Sequence, residues 1–246
     1  MLYTNDQIFL DGNNGKAVLL IHGVTSGCAQ MYPLANVLNE YGYAVRCVNI
    51  AGHGTYPEDL LHTSWENMID KAEYDYRMLK NEYDAVAVGG LSLGGALSIV
   101  LAKEHPDIRA LLTISAPLKL LDGVFTQEFP PEQIFWHRDL GGKTGIAKKY
   151  HIHYEEIAVR VFKELQHIIR YISAAGFIEG ITTPACIAQA KDDTVADPNS
   201  CRELYNRIGS CKKELYNPDT GGHNLCFGEE RFPLFEHIIR FINGTM

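Results

Sequence analysis

The chain has no long apolar run, no cysteine pairing pattern and no excess of basic residues, and each absence removes a class of protein. No apolar stretch approaches the ~20 residues a helix needs to cross a bilayer, so stable membrane insertion is not expected. The opening Met1-Leu-Tyr-Thr-Asn-Asp-Gln7 lacks a basic region followed by an apolar one. It does not read as a signal peptide, and the expected location is cytoplasmic. The six cysteines, Cys28, Cys47, Cys186, Cys201, Cys211 and Cys226, show no Cys-x-x-Cys and no metal-ligand spacing. They read as free thiols in a reducing compartment, Cys47 and Cys186 inside core strands. Lys and Arg number 22 against 30 Asp and Glu, a net charge of -8, which argues against nucleic acid as a partner.

What is present suits one soluble α/β domain: 246 residues, 46% hydrophobic and 21% charged. Strands are expected at Ala17 to Ile21, Tyr43 to Asn49, Ala85 to Gly89, Ala110 to Ile114, Ala185 to Ala190 and Glu214 to Tyr216. Helices are expected between them at Met31 to Glu40, Trp65 to about Asn81, Gly95 to His105, Pro198 to Ile208 and Glu229 to Ile242. Thr63 and Glu66 have the spacing of a capping box for the second of these. Such alternation implies a mostly parallel central sheet with helices on both faces, and crevices at the carboxyl ends of the strands.

The alternation breaks between about Pro117 and Ile181. The expected division is a core of residues 1–117 and 181–246 with a small cap or lid over residues 118–180. That segment groups Phe125, Phe129, Phe135 and Trp136, then has helical spacing from about Tyr154 to Ala174. Its aromatics would roof a pocket, or else pack only among themselves.

The sharpest motif is Gly90-Leu91-Ser92-Leu93-Gly94, between the apolar run Ala85 to Gly89 and the apolar helix from Gly95. A serine on a tight strand-to-helix turn presents its hydroxyl to substrate, and the helix N-terminus favours an oxyanion beside it. A weak nucleophile needs a base, and the base a third group to orient it. Carboxylates follow a later strand at Asp192 and Asp193, and His223 follows Gly221-Gly222 after the last strand. Asp193, two residues before Val195, suits a loop returning to a helix, and neighbouring side chains diverge, so one carboxylate alone can face the histidine. His22-Gly23 ends the first core strand, and the loop after it offers the amide of Val24 as an oxyanion donor alongside that of Leu93.

Of the ten histidines, His62, His105, His137, His151, His153, His167 and His237 read as solvated or half-buried, and His53 as a structural loop residue. His151 and His153 could form a metal pair, but no third ligand is apparent. Gly141-Gly142-Lys143-Thr144 resembles the end of a phosphate-binding loop, yet His137 stands where its first glycine is required.

Taken together, Leu20-Ile-His-Gly-Val24, Gly52-His-Gly54, Gly89 to Gly95, Gln189-Ala-Lys-Asp-Asp193 and Gly222-His223 resemble the α/β-hydrolase superfamily. Within it they are similar to the small bacterial carboxylesterases and monoacylglycerol lipases. The resemblance implies the α/β-hydrolase fold, Ser92 as nucleophile, Asp193 as acid, His223 as base, and Val24 and Leu93 as oxyanion donors. It implies a small-molecule ester substrate, with no cofactor and no metal, and leaves the oligomeric state open; acyl and alcohol preferences do not carry over, and short to medium acyl chains are expected instead from the short, aromatic insertion. Thioester, amide, carbon–carbon or monoacylglycerol cleavage at the same site is the alternative within enzymes, and a ligand-binding protein on the same fold the alternative outside them. A dehalogenase is disfavoured because the elbow residue is Ser, not Asp. With about Leu2 to Leu10 ahead of the first core strand, the N-terminal strands of the larger fold are expected to be shortened or missing.

Overall fold

The computed structural model describes residues 7–126, 128–137, 139, 141–151 and 153–246. In chain order the first half contains β1 (Ile8–Leu10), β2 (Lys16–Ile21), α1 (Tyr32–Glu40), β3 (Ala44–Val48), α2 (Trp65–Glu82), β4 (Ala85–Leu91), α3 (Leu93–Glu104) and β5 (Ala110–Ile114). The second half adds β6 (Phe135–His137), α4 (Gly145–Tyr150), β7 (Glu156–Ala158), α5 (Arg160–Ser173), β8 (Ala185–Ala188), α6 (Ser200–Arg207), β9 (Lys213–Tyr216) and α7 (Arg231–Asn243).

Seven strands form one sheet in the order β1-β3-β2-β4-β5-β8-β9. Every pairing is parallel except that of β1 with β3. Parallel strands connected by helices are covered on both faces, so they read as continuous apolar runs. Alternate residues then feed two cores. Ala17, Leu19 and Ile21 of β2 join Met68 of α2, Leu97 of α3, Phe162 of α5 and Leu204 of α6 on one face. Val18 and Leu20 join Leu34 and Leu38 of α1 with Leu234 and Ile238 of α7 on the other. The central helix α3 is buried from Leu93 through Ala102, which explains its lack of a polar stripe.

The expected parallel α/β architecture is present. Its antiparallel edge strand is β1, paired through Ile8, Phe9 and Leu10; Leu2 to Asp6, also part of the N-terminal expectation, lie outside the described residues. The cap of α2 differs from expectation by one residue. Ser64 is the N-cap, its hydroxyl accepting from Asn67 N, while Asn67 Oδ1 accepts from Ser64 N at 3.1 Å. Thr63 belongs instead to the end of the preceding turn, where its hydroxyl donates to Asp59 O at 2.7 Å.

Between β5 and β8 the expected helix starts later, at Arg160. Residues Glu156–Ala158 instead pair antiparallel with Phe135–His137 as a two-stranded ribbon. The apolar stripe of α5, including Phe162, Leu165, Ile168 and Ile172, merges with the core that covers α2 and α3. None of the six cysteines is in a disulfide, and five of them are buried. Among the described residues no helix is long and apolar enough to cross a membrane.

The junction of β4 with α3 is tightly packed. A Cβ on Gly94 would lie 2.1 Å from Ile21 O, and one on Gly90 2.5 Å from the same oxygen. Gly94→Ala should therefore cost about 3 kcal/mol in urea-induced unfolding. Gly228 has nothing within 4 Å of its Cβ position, and Gly228→Ala should stay within about 0.5 kcal/mol of the parent. Equal costs would contradict this account of the junction.

Candidate active site

Ser92 sits where β4 becomes α3 within a single residue. Its backbone has φ 56° and ψ −117°, outside the regions open to ordinary side chains. Ser92 N donates to Ile114 O at 2.8 Å and Ser92 O accepts from Ala96 N at 3.1 Å. Those bonds, with the glycines that let Ile21 approach, hold the unusual conformation. Leu93 is the first residue of α3, so its N–H is among the helix-start amides with no acceptor inside the helix. Ser92 itself is only 5% exposed. It lines a cavity of about 50 Å³ together with Gly23, Val24, Gln30, Leu91, Phe125, His151, His153, Val195, His223 and Asn224.

His223 reaches this cavity on a loop that glycine makes possible: Gly221 and Gly222 have φ 134° and 62°. Its Nδ1 lies 3.0 Å from both oxygens of Asp193. An Nδ1–H donated to that carboxylate leaves Nε2 as the basic nitrogen. Asp193 is almost fully buried and also accepts from Val195 N at 2.8 Å, Ala196 N at 3.1 Å and Gln189 Nε2 at 3.0 Å. Burial alone would raise its carboxyl pKa; the hydrogen bond and charge of His223, then the Val195 amide and Gln189, outweigh it and hold the group below its ordinary value. Asp192 turns the other way. Its carboxylate accepts from Gly222 N at 2.7 Å and Gly221 N at 3.3 Å, tying down the loop that carries His223.

The loop after β2 is held by buried side chains. His22 Nδ1–H donates to Gly23 O at 2.8 Å and its Nε2 accepts from Ile50 N at 3.3 Å. Both bonds require the neutral ring. Burial, and next the proximity of His53, pull its pKa down to about 3 against the Gly23 carbonyl. A trans peptide points its N–H opposite to its C=O, so fixing Gly23 O also fixes the N–H of Val24. Gln30 adds a second tether, accepting from Gly23 N at 2.7 Å. His53, the expected structural loop residue, is buried beside His22 with ring centroids 5.1 Å apart. Its Nδ1 donates to Ala51 O at 3.0 Å, and burial draws its pKa down to about 4.

Ser92, Val24 and His223 thus share one cavity, with Asp193 behind His223 and Leu93 beside Ser92. Four residues at the cavity carry no expectation of a place there: Gln30, His151, His153 and Asn224. Gln30 carried no periodic or motif signal. The two histidines were set aside for want of a third metal ligand, although an i, i+2 pair in extended chain can share a face. The adjoining Ile152 lies outside the described residues. Of the four aromatics grouped in this segment, Phe125 lines the cavity. Phe125 and Phe129 stack on Phe162 at 4.7 and 5.8 Å, and Trp136 meets the same ring edge-on at 5.9 Å. Lys143, in the glycine-rich decoy, donates to His151 O at 2.6 Å.

The chain is similar to known hydrolases. A family of hydrolases described as serine aminopeptidase, S33, matches residues 12–141. A carboxylesterase of Bacillus subtilis (strain 168) is 29% identical over 233 residues, covering 92% of each chain. A thermostable monoacylglycerol lipase of Bacillus sp. (strain H-257) is 26% identical, covering 95% of this chain and 92% of its own. Among solved structures, one from a study of the metagenome-derived lipolytic enzymes LipS and LipT superposes with a TM-score of 0.84 at 24% identity, covering 98% of both chains.

The depressed pKa of Asp193 has a stability consequence. Its contribution is present above the unfolded carboxyl pKa of about 4 and is lost as pH falls through the lower folded value. Asp193→Asn should therefore unfold more easily than the parent at neutral pH, with the gap narrowing below about pH 4. Chemical denaturation across that range reads the gap, and one that stayed constant with pH would contradict the assignment.

Proposed function

The chain belongs to the hydrolase family described as serine aminopeptidase, S33, and from that premise we propose that it is a serine carboxylic ester hydrolase acting on short-to-medium acyl esters. Its fold is the α/β-hydrolase fold. Ser92 Oγ attacks the ester carbonyl carbon while His223 Nε2 takes the hydroxyl proton. Asp193 keeps the imidazole oriented and stabilises its positive form. The tetrahedral oxyanion is received by the N–H groups of Val24 and Leu93. His223 then returns its proton to the alcohol oxygen as the C–O bond breaks, and the alcohol leaves. Water attacks the acyl-serine carbon and gives a proton to His223, which passes it to Ser92 Oγ as the acid departs.

The observation that carries this reading is the orientation of His223, held at Nδ1 by both oxygens of Asp193, on the wall of the cavity that Ser92 lines. The curated relatives, a carboxylesterase and a monoacylglycerol lipase, support ester cleavage over thioester, amide or carbon–carbon cleavage. A purely ligand-binding role has no use for an oriented histidine beside a strained serine. We also read residues 118–180 as a cap on a core of 1–117 and 181–246. A cytoplasmic location fits six cysteines with no disulfide.

The small cavity supports a modest substrate size. About 50 Å³ is well below the roughly 300 Å³ of a pocket that encloses a drug-sized ligand. Longer acyl groups therefore require the cap to give way, and modest chains are favoured.

Ser92→Ala should fold normally and lose turnover by on the order of a thousandfold or more. Asp193→Asn should lose on the order of a thousandfold to ten-thousandfold, as expected when a catalytic histidine loses its orienting carboxylate. Asp192→Asn keeps an oxygen for Gly222 N and should be mild. Steady-state hydrolysis of a soluble short-chain ester measures all three, and retained activity in folded Ser92→Ala would end the proposal. The size argument has its own test, hydrolysis of soluble acyl esters beside emulsified triacylglycerol. Soluble esters should turn over faster; a jump in rate as substrate passes its solubility limit would make the enzyme a true lipase.

A further inference from the structure

We infer that His153 is a positioning residue for the oxyanion site: through Thr25 it holds the turn that carries the Val24 amide, so the site is complete only while the cap is docked. The inference rests on the reading of Val24 as an oxyanion donor.

Residues Gly23 to Ser26 form a β-turn closed by Ser26 N donating to Gly23 O at 3.3 Å. Its third residue, Thr25, has φ 62°. A turn with positive φ at that position, and not at Val24 before it, is of the type II class, which favours glycine or asparagine there. A β-branched residue in the left-handed region is strained and persists only where neighbours over-determine it. The neighbours here come from the cap. Thr25 Oγ1 and His153 Nδ1 are in hydrogen-bond contact at 3.1 Å, both residues buried. Thr25 O accepts from Tyr154 N at 3.2 Å.

This cap segment is itself anchored on both sides of the cavity. The Tyr154 hydroxyl donates to Gly52 O at 3.2 Å and accepts from Thr55 N at 3.0 Å, in the loop after β3. His153 Nε2 contacts His151 Nε2. The His151 ring stacks on Phe227 at 5.0 Å, just beyond His223. The core thus pins the turn at Gly23 through His22 and Gln30, and the cap pins it at Thr25. Val24 lies between the two pins. When the cap lifts, Thr25 is released to the negative φ that a β-branched residue prefers. The turn loosens, and one of the bonds orienting the peptide of Val24 goes with it. Because the cavity is small, we take the segment to shift as an ester enters and its return to rebuild the donor pair around the bound substrate.

The test is a double-mutant cycle on the full chain. His153→Phe keeps ring volume and removes the bond to Thr25; Thr25→Gly removes the strain that the bond restrains. In the Thr25 background, His153→Phe should lower kcat for a soluble ester about tenfold or more, with KM moving less than about threefold. Affinity for a trifluoromethyl ketone, which mimics the tetrahedral species, should fall in parallel with kcat. In the Thr25→Gly background the same change should cost less than about threefold, since glycine accepts positive φ without help. Thr25→Val, which keeps the branching and loses the hydroxyl, should reproduce the His153→Phe loss and not add to it. Equal losses in both backgrounds, or a rise in KM with kcat unchanged, would overturn the inference and leave Ser92 chemistry standing. A wild-type protein that neither turns over esters nor reacts with a fluorophosphonate would remove the reading of Ser92 and this inference with it.

Discussion

The reaction centre depends on one close approach of backbone to backbone. Strand β4 turns into α3 around Ser92, and Gly94 sits so near Ile21 O that a single methyl would collide at 2.1 Å. That contact lets β2 and α3 lie side by side. It brings the loop after β2, with Gly23 and Val24, against the serine. The buried length of α3 makes the elbow part of the core, so the unusual backbone of Ser92 is held in a closely packed region. The functional loops need only be arranged around a point that the core already holds.

Each surrounding loop is held by a buried polar group with fully specified partners. His22 is the neutral tautomer because one nitrogen must donate to Gly23 O and the other must accept from Ile50 N. Asp193 receives donors from His223, Val195, Ala196 and Gln189, which is what permits a buried carboxylate to stay charged. Adjacent Asp192 works on the backbone of Gly221 and Gly222. Two neighbouring acids thus divide the labour, one orienting the imidazole and one shaping its loop. The segment between β5 and β8 contributes a third kind of restraint, the contact of His153 Nδ1 with Oγ1 of Thr25, whose backbone has positive φ.

The parts of this arrangement visible in the sequence are those set by local rules. Strand and helix alternation, the glycines at the elbow and the two glycines before His223 are each required by geometry within a few residues. The separation of Asp193 from Asp192 was also legible, because successive side chains diverge. The rest depends on contacts that no local pattern displays. The capping box stands at Ser64 and Asn67, while the Thr63 hydroxyl donates to Asp59 O in the preceding turn. The β6–β7 ribbon consists of three-residue strands, too short for periodicity to register. The importance of His153 lies in a contact with Thr25, 128 residues away. Its own neighbourhood in sequence offered only a metal pair without a third ligand.

The central claim is that a single serine, poised at the elbow, forms the covalent intermediate. Its most direct test is the site of adduct formation with a fluorophosphonate, located by mass spectrometry of peptides from the intact, folded protein. The account predicts one adduct, on Ser92, slowed when Asp193 is changed to Asn. A folded protein that forms no adduct, or forms it on another residue such as Ser98 or Ser115, would contradict it.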